Sequence, residues 1–413
     1  MTVRRVAITG MGVVCPLGNS VSTTWAELLA GRSVIGPVSR QNAATGTVLT
    51  VPGAVISDSM LKPIPKSIEG MADKFGRLAI MASIDAVADA KLDFSTEDRG
   101  RIGTSSGTCM GGICETEIGF DAIYLRRRPK VHPFTVVRTM YNNPVAFISS
   151  MFGLTGPALA FSTTCSSSAV AIGEAARQIR HGYADVMIAG GSEALFTYSA
   201  LNCWYSAQLL APVHDEPTQS CRPFDATRNG TALGEGAIFY VLEDWERAVR
   251  RGSRIHAELL GYACTTDSLH VTQPSAAGQA SSMRSALADA GIPPSEIGYI
   301  HAHGTGTKLN DKVETSAIKS VFEKHAYNIP ISSSKSMVGH MVGAAGAMGL
   351  LASIQAICNQ EVPPTANLQN RDPDCDLDYV PVEGRREIGL RTAMSNAFGF
   401  GGTSASLIVR LPQ

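Results

Sequence analysis

The 413-residue sequence is poor in charge and in aromatic side chains: 17% of its residues are charged and 6% are Phe, Trp or Tyr. Basic and acidic residues nearly cancel, to a formal net charge of −1, so the chain has no basic excess with which to displace the counterions of a nucleic acid. The nine cysteines include no C-x-x-C pair, which argues against disulfides and a structural zinc site. No secretory signal is recognisable. We therefore expect a reduced, cytoplasmic protein without a nucleic-acid partner.

The sequence also lacks a convincing membrane span. Its most apolar run, residues 341–357, is only marginally long enough to cross a bilayer and is interrupted by Ser353 and Gln355. The small residues at 343–347 suit a helix that packs closely on all sides. We predict a buried central helix and no membrane span.

What the chain does have is a regular alternation of two kinds of segment. Nine short runs predict strands, at residues 3–9, 101–105, 158–163, 185–189, 237–242, 255–262, 297–302, 329–333 and 404–409. Four stretches predict helices, at residues 78–90, 166–180, 279–290 and 341–358. This alternation predicts an α/β protein with buried central sheets. Its length favours two lobes, and a soft boundary divides an N-terminal half, residues 1–252, from a C-terminal half, residues 253–413.

The two halves show a weak internal symmetry. Each half contains a strand, then a residue with a reactive or hydrogen-bonding side chain, then a helix rich in small residues. That residue is Cys165 in the first half and His340 in the second. A Gly-rich turn and another strand come later in both. If the halves stack about a pseudo-twofold axis, both helix N-termini face one central site.

The run at residues 160–169 carries the strongest chemical signal. A strand-like segment ends at Cys165, and a helical pattern begins at once, with one face formed by Cys165, Ala169, Ile172, Ala176 and Ile179. A thiol at a helix N-terminus meets unpaired backbone N–H groups and the positive end of the helix dipole, which favour the thiolate. A buried small hydrophobic residue would be the better interpretation of an isolated cysteine, but the residues downstream favour a nucleophile.

Three further segments carry chemistry. His303 follows a strand and opens a Gly/Thr loop, and Lys335 lies shortly before His340. A Gly-rich turn at residues 396–403 lets backbone amides approach a ligand closely. Each segment alone is weak, because a single histidine after a strand is more often a hydrogen-bonded structural residue.

Two cofactor motifs can be set aside. His301 and His303 are spaced like half of a metal site, but no third and fourth ligands stand at suitable spacing. Gly10 and Gly12 resemble the start of a dinucleotide-binding motif, but Cys15 occupies the third glycine position. The sequence thus predicts neither a metal nor a bound dinucleotide.

Together these segments resemble the β-ketoacyl synthases over essentially the whole chain. The motifs of that family occur here in the same order and at the same spacing. They are Cys165, the loop after His303, Lys335 with His340, the turn around Phe400, and the segments 222–230 and 233–237. The chain is similar to the elongating, II-type β-ketoacyl-acyl-carrier-protein synthases and to the ketosynthase subunits of type II polyketide synthases. The resemblance implies the thiolase fold, in which two pseudo-symmetric α/β halves stack as αβαβα layers.

The resemblance also implies a decarboxylative Claisen condensation and a role for each candidate. Cys165 would hold the acyl group, while His303 and His340 would donate N–H bonds to the enolate formed from a malonyl thioester. The backbone N–H groups of Cys165 and Phe400 would bind the oxyanion of the acyl carbonyl. No resident cofactor is implied, because phosphopantetheine arrives on the acyl carrier protein.

Other residues receive supporting roles from the resemblance. Lys335 would lie near the second histidine, held by Asp311 or Glu314, either as an active-site group or as part of a structural ion pair. Thr305 and Thr307 match positions expected to bind the pantetheine arm.

Three parts of the chain bear on the substrate and the partner. Met110 and Phe400 match a gate to the acyl pocket. His301 stands where Asn or Glu is common in the family, and no role follows for it. A basic run consists of Arg126, Arg127, Arg128 and Lys130, and is either a solvated loop or a surface that docks an acidic carrier protein.

Several alternatives stay open. The chain serves either fatty-acid elongation or a type II polyketide or polyene pathway, and the sequence does not specify the length or unsaturation of the acyl chain. A thiolase proper is disfavoured, since thiolases usually replace one of the two histidines and carry a second cysteine near the last Gly-rich turn. A non-catalytic chain-length subunit would lack Cys165. The family pairs subunits through sheet edges, here near residues 145–151 and 158–163, so we expect a homodimer or a heterodimer with a chain-length-factor-like subunit.

Overall fold

Strands and helices alternate along the described chain, residues 3–412 of the computed structural model. In chain order the strands β1 to β15 are Val6–Val14, Gly36–Gln41, Val48–Ala54, Ile102–Gly107, Ala158–Phe161, Val186–Glu193, Leu233–Gly234, Gly236–Asp244, Ala257–Thr266, Tyr299–His301, Ile331–Ser332, Glu361–Val362, Arg385–Arg386, Thr392–Phe398 and Thr403–Arg410. The helices α1 to α13 are Val21–Leu29, Lys66–Glu69, Lys74–Ala90, Ile113–Phe120, Thr135–Thr139, Asn143–Phe152, Ser167–Arg180, Tyr198–Ser206, Trp245–Arg250, Ala276–Ala290, Lys308–Phe322, Lys335–Val338 and Ala345–Asn359.

Ten strands form a continuous sheet in the order β11-β10-β14-β15-β9-β1-β8-β6-β4-β5. The sheet consists of two five-stranded units joined by a short antiparallel contact, in which Ala7 pairs with Glu258 and Ile8 with Ala257. Numbered along the chain within its own half, each unit has the strand order 3-2-4-5-1. The internal symmetry predicted from the sequence is therefore present in the topology.

Helices cover both sheet units and also separate them. Helix α3 packs on the outer face of the first unit, against β1 and β8, while α10 packs on the second, against β9 and β15. Helices α7 and α13 lie between the units and contact each other. A hydrogen bond of 2.9 Å from the Ala347 amide to the Ser168 hydroxyl joins these two helices. This arrangement confirms the predicted αβαβα layers.

The residues predicted to form one face of the helix after Cys165 are all buried, as the amphipathic pattern requires. Helix α13 belongs to the same core. The segment Val342–Asn359 is long and apolar enough to cross a membrane, but 78% of it is buried inside the molecule. Its small residues allow close packing between the two sheet units, and the predicted buried central helix is confirmed.

The sequence patterns missed parts of the sheets. Strand β14 lies in the middle of the second unit, but its sequence was not predicted as a strand, because the adjoining glycines suggested only a turn. The hairpin of β2 and β3 was also missed. The first strand was placed too early, since β1 runs from Val6 to Val14. The proposed boundary at residue 252 falls between the end of α9 and the start of β9.

Candidate active site

A cavity of about 150 Å³ reaches the predicted nucleophile. Its wall includes Cys165, His303, His340 and Phe400. Both halves of the fold contribute, because the cysteine comes from the turn before α7 and the two histidines follow β10 and α12. The pseudo-symmetric stacking therefore brings residues from distant parts of the sequence to one site.

Cys165 lies in a short 3-10 turn, Thr164–Ser166, directly before α7. Thr164 has a left-handed backbone conformation (φ 56°), and its hydroxyl donates to the carbonyl of Phe400 at 3.1 Å. A Cβ at Gly399 would lie 2.0 Å from that hydroxyl oxygen, so glycine is required for this contact. The hydrogen bond joins the nucleophile turn to the Gly-rich turn, and backbone N–H groups of Cys165 and Phe400 both reach the sulfur.

The hydrogen bonds of His340 define its tautomer. Its Nε2 lies 3.0 Å from Cys165 Sγ, while its Nδ1 accepts the backbone N–H of Val342 at 3.2 Å. A neutral imidazole carries one proton, so an accepting Nδ1 leaves that proton on Nε2. His340 is therefore a hydrogen-bond donor toward the sulfur and cannot also act as the base that deprotonates it.

The surroundings of Cys165 favour the thiol, which corrects the expectation of a stabilised thiolate. Burial raises the pKa of Cys165 to about 12, although the charge of Lys335 and the backbone N–H groups of Phe400 and of Cys165 itself act to lower it. The helix N-terminus is present as predicted, but the cost of removing a thiolate from water is larger. We therefore expect Cys165 to rest as the thiol when no substrate is bound.

His303 and His340 form a neutral pair beside the sulfur. Their ring centroids are 5.5 Å apart, and the ring planes are nearly perpendicular, at 82°. Burial and the charge of Lys335 hold the pKa of each histidine well below its usual value. One ring nitrogen of each lies within 4.8 Å of Cys165 Sγ. The pair can thus present N–H donors, but not cationic imidazolium groups, to a substrate oxygen.

One cysteine and two histidines at these distances also resemble the ligand set of a thiophilic metal. Val342 argues against that use, because its N–H occupies His340 Nδ1 and keeps the proton on Nε2. His340 therefore has no lone pair to offer at the centre of the cluster. The donor set fits substrate hydrogen bonding better, and the absence of a metal remains a prediction.

The buried acids near His303 bind its loop instead of pairing with Lys335. Glu314 accepts the N–H of His303 at 2.7 Å, and Asp311 accepts that of Thr305 at 3.0 Å. Lys335 Nζ donates to the carbonyl oxygen of His303. Among the described residues neither carboxylate forms a direct ion pair with Lys335, so the predicted support from Asp311 or Glu314 reaches Lys335 only through the charge of these groups. Burial lowers the pKa of Lys335, and the charge of Glu314 opposes that effect from a distance.

Thr305 and Thr307 line the same cavity, and their hydroxyl groups lie 2.9 Å apart. This position is compatible with the predicted contact to a pantetheine arm, which stays a prediction. Phe400 lines the cavity on the other side of the nucleophile turn. The backbone N–H of Phe400 thus reaches the sulfur, and the residue is also part of the cavity wall.

Two residues at the site were not recognised in the sequence. Trp204, on α8, stacks on Phe400 with ring centroids 6.2 Å apart and meets His340 edge-on at 6.4 Å. Glu193, at the end of β6, is fully buried and accepts the N–H of Met110 at 3.1 Å. Burial raises the pKa of Glu193 to about 7. No motif or hydrophobic pattern in the sequence specifies the contacts of these two residues.

The four basic residues of the predicted docking surface lie in the connection between α4 and α5. All are exposed, and within the described chain none of the four lines the cavity. The same connection exposes large apolar side chains, including Tyr124, Leu125 and Phe134. A single subunit therefore does not place this surface at the mouth of its own active site. The proposed docking residues are Arg126, Arg127, Arg128 and Lys130.

Comparison with known proteins gives a consistent result. Two family models match successive parts of the chain. The model of the β-ketoacyl synthase N-terminal domain matches residues 3–248, and that of the β-ketoacyl synthase C-terminal domain matches residues 256–369. The 3-oxoacyl-[acyl-carrier-protein] synthase 2 of Coxiella burnetii is 40% identical over 411 residues, 99% of each chain.

Solved structures agree with the sequence comparison. A chain from the complex of a type II PKS acyl-carrier protein with its ketosynthase bound to the hexaketide has a TM-score of 0.91 at 31% identity. A chain of the ishigamide ketosynthase/chain length factor has a TM-score of 0.90 at 33% identity, and both matches cover 100% of both chains. The predicted thiolase fold is confirmed by these ketosynthases. With its fold, its site geometry and its whole sequence in agreement, the chain belongs to the β-ketoacyl synthase family of acyltransferases.

Proposed function

We propose that this ketosynthase condenses an acyl group held on Cys165 with malonyl-acyl carrier protein, with loss of carbon dioxide, in fatty-acid or type II polyketide chain elongation. The observation that carries the proposal is the convergence of Cys165 Sγ and the neutral pair His303 and His340 on one cavity. The relationship to a 3-oxoacyl-[acyl-carrier-protein] synthase and to polyketide ketosynthases supports both pathways.

In the first half-reaction, Cys165 Sγ forms a bond with the acyl carbon while the bond from that carbon to the pantetheine sulfur breaks. Because burial keeps Cys165 protonated, its proton passes to the departing pantetheine sulfur. The backbone N–H groups of Cys165 and Phe400 stabilise the oxyanion that forms in between. The acyl group then waits on the enzyme as a thioester.

In the second half-reaction, malonyl thioester loses carbon dioxide, and the electrons of the broken C–C bond form an enolate. His303 and His340 donate N–H bonds to the enolate oxygen, where the negative charge develops. The enolate carbon then attacks the acyl carbon, the bond to Cys165 breaks, and the thiolate takes a proton from solvent. Neutral histidines suit this step, since they stabilise the anion by hydrogen bonding and do not need to exchange a proton with it.

The site needs no resident cofactor in this proposal. Phosphopantetheine enters with the carrier protein, and Thr305 and Thr307 line the cavity in which its arm would lie. The charge of Lys335 is placed on the carbonyl of His303, where it orders the loop. Lys335 thus acts through His303 and not on the substrate.

We further propose a cytoplasmic enzyme that works as a dimer. Strand β5 is an edge strand with an exposed backbone, and the connection between α4 and α5 exposes large apolar side chains such as Tyr124 and Phe134. The ishigamide ketosynthase/chain length factor supports a heterodimer, and a homodimer would cover the same surface. Expression of the chain alone distinguishes the two, because a soluble, active dimer favours the homodimer, whereas an inactive product rescued by a co-expressed chain-length-factor-like subunit favours the heterodimer.

Reversing two charges tests the proposed docking surface. Arg127→Glu combined with Lys130→Glu should raise the KM for carrier-bound substrates several-fold and leave that for small thioester mimics unchanged, because carrier proteins are acidic. Steady-state kinetics with both substrate types measure this. Reversal of Lys91 and Arg386, which are exposed outside this surface, provides the control. An equal response of both substrate types would exclude docking as the explanation.

Met110 provides a test of the acyl pocket. It packs in the apolar cluster that contains Cys165, and its flexible side chain can adapt to acyl groups of different length. Met110→Trp should shorten the longest acyl chain loaded onto the enzyme, with little effect on short chains, while Met110→Leu should keep the native profile. Intact-protein mass after loading from carrier proteins of graded acyl length reports both. An unchanged profile in the tryptophan variant would place Met110 outside the gate.

The proposed function itself is tested by following products. With acyl-carrier protein and malonyl-carrier protein, we expect a β-ketoacyl product extended by two carbons and one equivalent of carbon dioxide. A panel of acyl-carrier proteins would then define chain length and unsaturation. Condensation of coenzyme A thioesters without carbon dioxide release would instead identify a thiolase and overturn the proposal.

A further inference from the structure

His301 is a buried side chain for which the proposed chemistry has no use. It ends β10 and is 2% exposed, between Ser332 of β11 and Ser395 of β14. Burial lowers the pKa of His301 to about 3, and the charge of Lys335 lowers it further. The imidazole is therefore neutral at physiological pH.

The two ring nitrogens of His301 have different surroundings. Nε2 accepts the backbone N–H of Ser334 at 3.3 Å and lies 3.1 Å from the hydroxyl of the same residue. Because Nε2 accepts, the single proton of the neutral ring is on Nδ1. Nδ1 has no hydrogen-bond partner among the residues that the structure describes. Among the described residues, the ring of His301 therefore forms hydrogen bonds only with Ser334.

Gly349, on α13, makes room for the ring. A Cβ at this position would lie 2.7 Å from Nδ1 of His301 and 2.5 Å from the hydroxyl oxygen of Ser395. Both distances are too short for a real side chain, although glycine is unfavourable in the middle of a helix. The glycine and the imidazole are therefore sterically matched across the interface of α13 with the sheet.

Ser334 connects this buried ring to the active site. It is the residue before α12, and the next residue, Lys335, donates from Nζ to the carbonyl of His303. An acceptor at the Ser334 amide fixes the start of α12, and so the path of the Lys335 side chain to His303. A displacement of about 1 Å at a reacting group can cost 100-fold in rate.

We propose that His301 is a positioning residue. Its ring packs against Gly349, and its Nε2 accepts the hydrogen bond from the Ser334 N–H. This bond keeps Lys335 in place to donate to the carbonyl of His303. His301 touches neither the acyl group nor the enolate. The inference rests on the proposed function, since it assigns His301 to the decarboxylation step that His303 serves. Acylation of Cys165 does not depend on that step.

Two substitutions of similar polarity separate positioning from simple packing. His301→Gln can place its amide oxygen near the position of Nε2, whereas the shorter amide of His301→Asn reaches only the position of Nδ1. We expect His301→Asn to lower kcat for malonyl decarboxylation by about 100-fold, in line with the cost of a misplaced group, with little change in KM. His301→Gln should recover most of the activity, and both variants should still acylate Cys165.

Gly349→Ala supplies a second variant that leaves the imidazole in the sequence but forces it from its seat. It should lose decarboxylation as His301→Asn does, and Gly349→Ala combined with His301→Asn should be no worse than either alone. Thermal melting identifies any variant that fails to fold. If Gly349→Ala does not fold, the comparison of His301→Asn with His301→Gln decides; if either His301 variant does not fold, Gly349→Ala decides. Equal activities of folded Asn and Gln variants, or full activity of Gly349→Ala, would overturn the inference. A native protein that never decarboxylates malonyl thioester would overturn the proposed function instead.

Discussion

Cys165→Ala is expected to abolish condensation, because no other residue of the cavity can hold the acyl group as a thioester. The thiol lies under the backbone N–H groups of two turns and 3.0 Å from His340 Nε2, a geometry that no neighbouring cysteine shares. Product formation from acyl- and malonyl-carrier proteins should fall to the background level. Cys203→Ala, which removes an exposed thiol on α8, is the matched control and should keep full activity.

Cys165→Gln extends this test to the second half-reaction. Its side-chain amide can imitate the carbonyl of the missing acyl thioester, so the variant should still release carbon dioxide from malonyl-carrier protein without forming product. Carbon dioxide release and product formation are measured in the same reaction. Normal condensation by the alanine variant would show that the nucleophile lies elsewhere.

His303→Ala and His340→Ala should each lose decarboxylation while retaining some self-acylation. In the proposed mechanism the two N–H donors stabilise the enolate, a charge that is absent from the first half-reaction. Loss of one such donor typically lowers the rate about 10²–10³-fold. Malonyl turnover and the mass of the acyl-enzyme should therefore respond differently in both variants.

A conservative change sharpens the test of the histidine pair. His340→Gln can keep a side-chain N–H near Cys165 and should retain more decarboxylation than His340→Ala. His325→Ala, which changes a histidine that contacts the carbonyl of Ile297 and does not line the cavity, controls for general effects. Near-normal malonyl turnover in both alanine variants would contradict the assignment of the pair.

Much of the fold could be predicted from the order of strands and helices along the chain. Hydrophobic patterns identified α7 and the buried helix α13, and the repeated succession of strand, reactive residue and small-residue helix indicated stacked halves. The same succession placed Cys165 and His340 at helix N-termini that meet in the centre. These features depend on local pattern and on connectivity, which a sequence records directly.

Local patterns did not determine how groups compete for partners inside the core. The helix N-terminus at Cys165 suggested a thiolate, yet burial outweighs it and raises the pKa of Cys165 to about 12. Glu314 looked like a direct partner for Lys335, yet its carboxylate accepts the backbone N–H groups of His303 and Gly304 and acts on Lys335 only through its charge. Such outcomes depend on desolvation and on loop geometry, neither of which follows from spacing in the chain.

Contacts between segments that are far apart in the chain could not be predicted from the sequence either. Trp204 meets Phe400 and His340 because α8 folds over the cavity, and His301 acquires a role because Gly349 leaves space on a helix far along the chain. An aromatic residue, a histidine and a glycine are each unremarkable when taken alone. Their meaning is set by tertiary packing.

In the proposed mechanism Cys165 carries the acyl group, and the neutral histidine pair stabilises the enolate that condenses with it. The most direct measurement is peptide mapping after incubation with isotopically labelled acyl-carrier protein, followed by a chase with malonyl-carrier protein. We predict one labelled peptide, modified at Cys165, whose label is lost in step with carbon dioxide release. A label at another cysteine, or carbon dioxide release and product formation with the label still in place on Cys165, would contradict the claim.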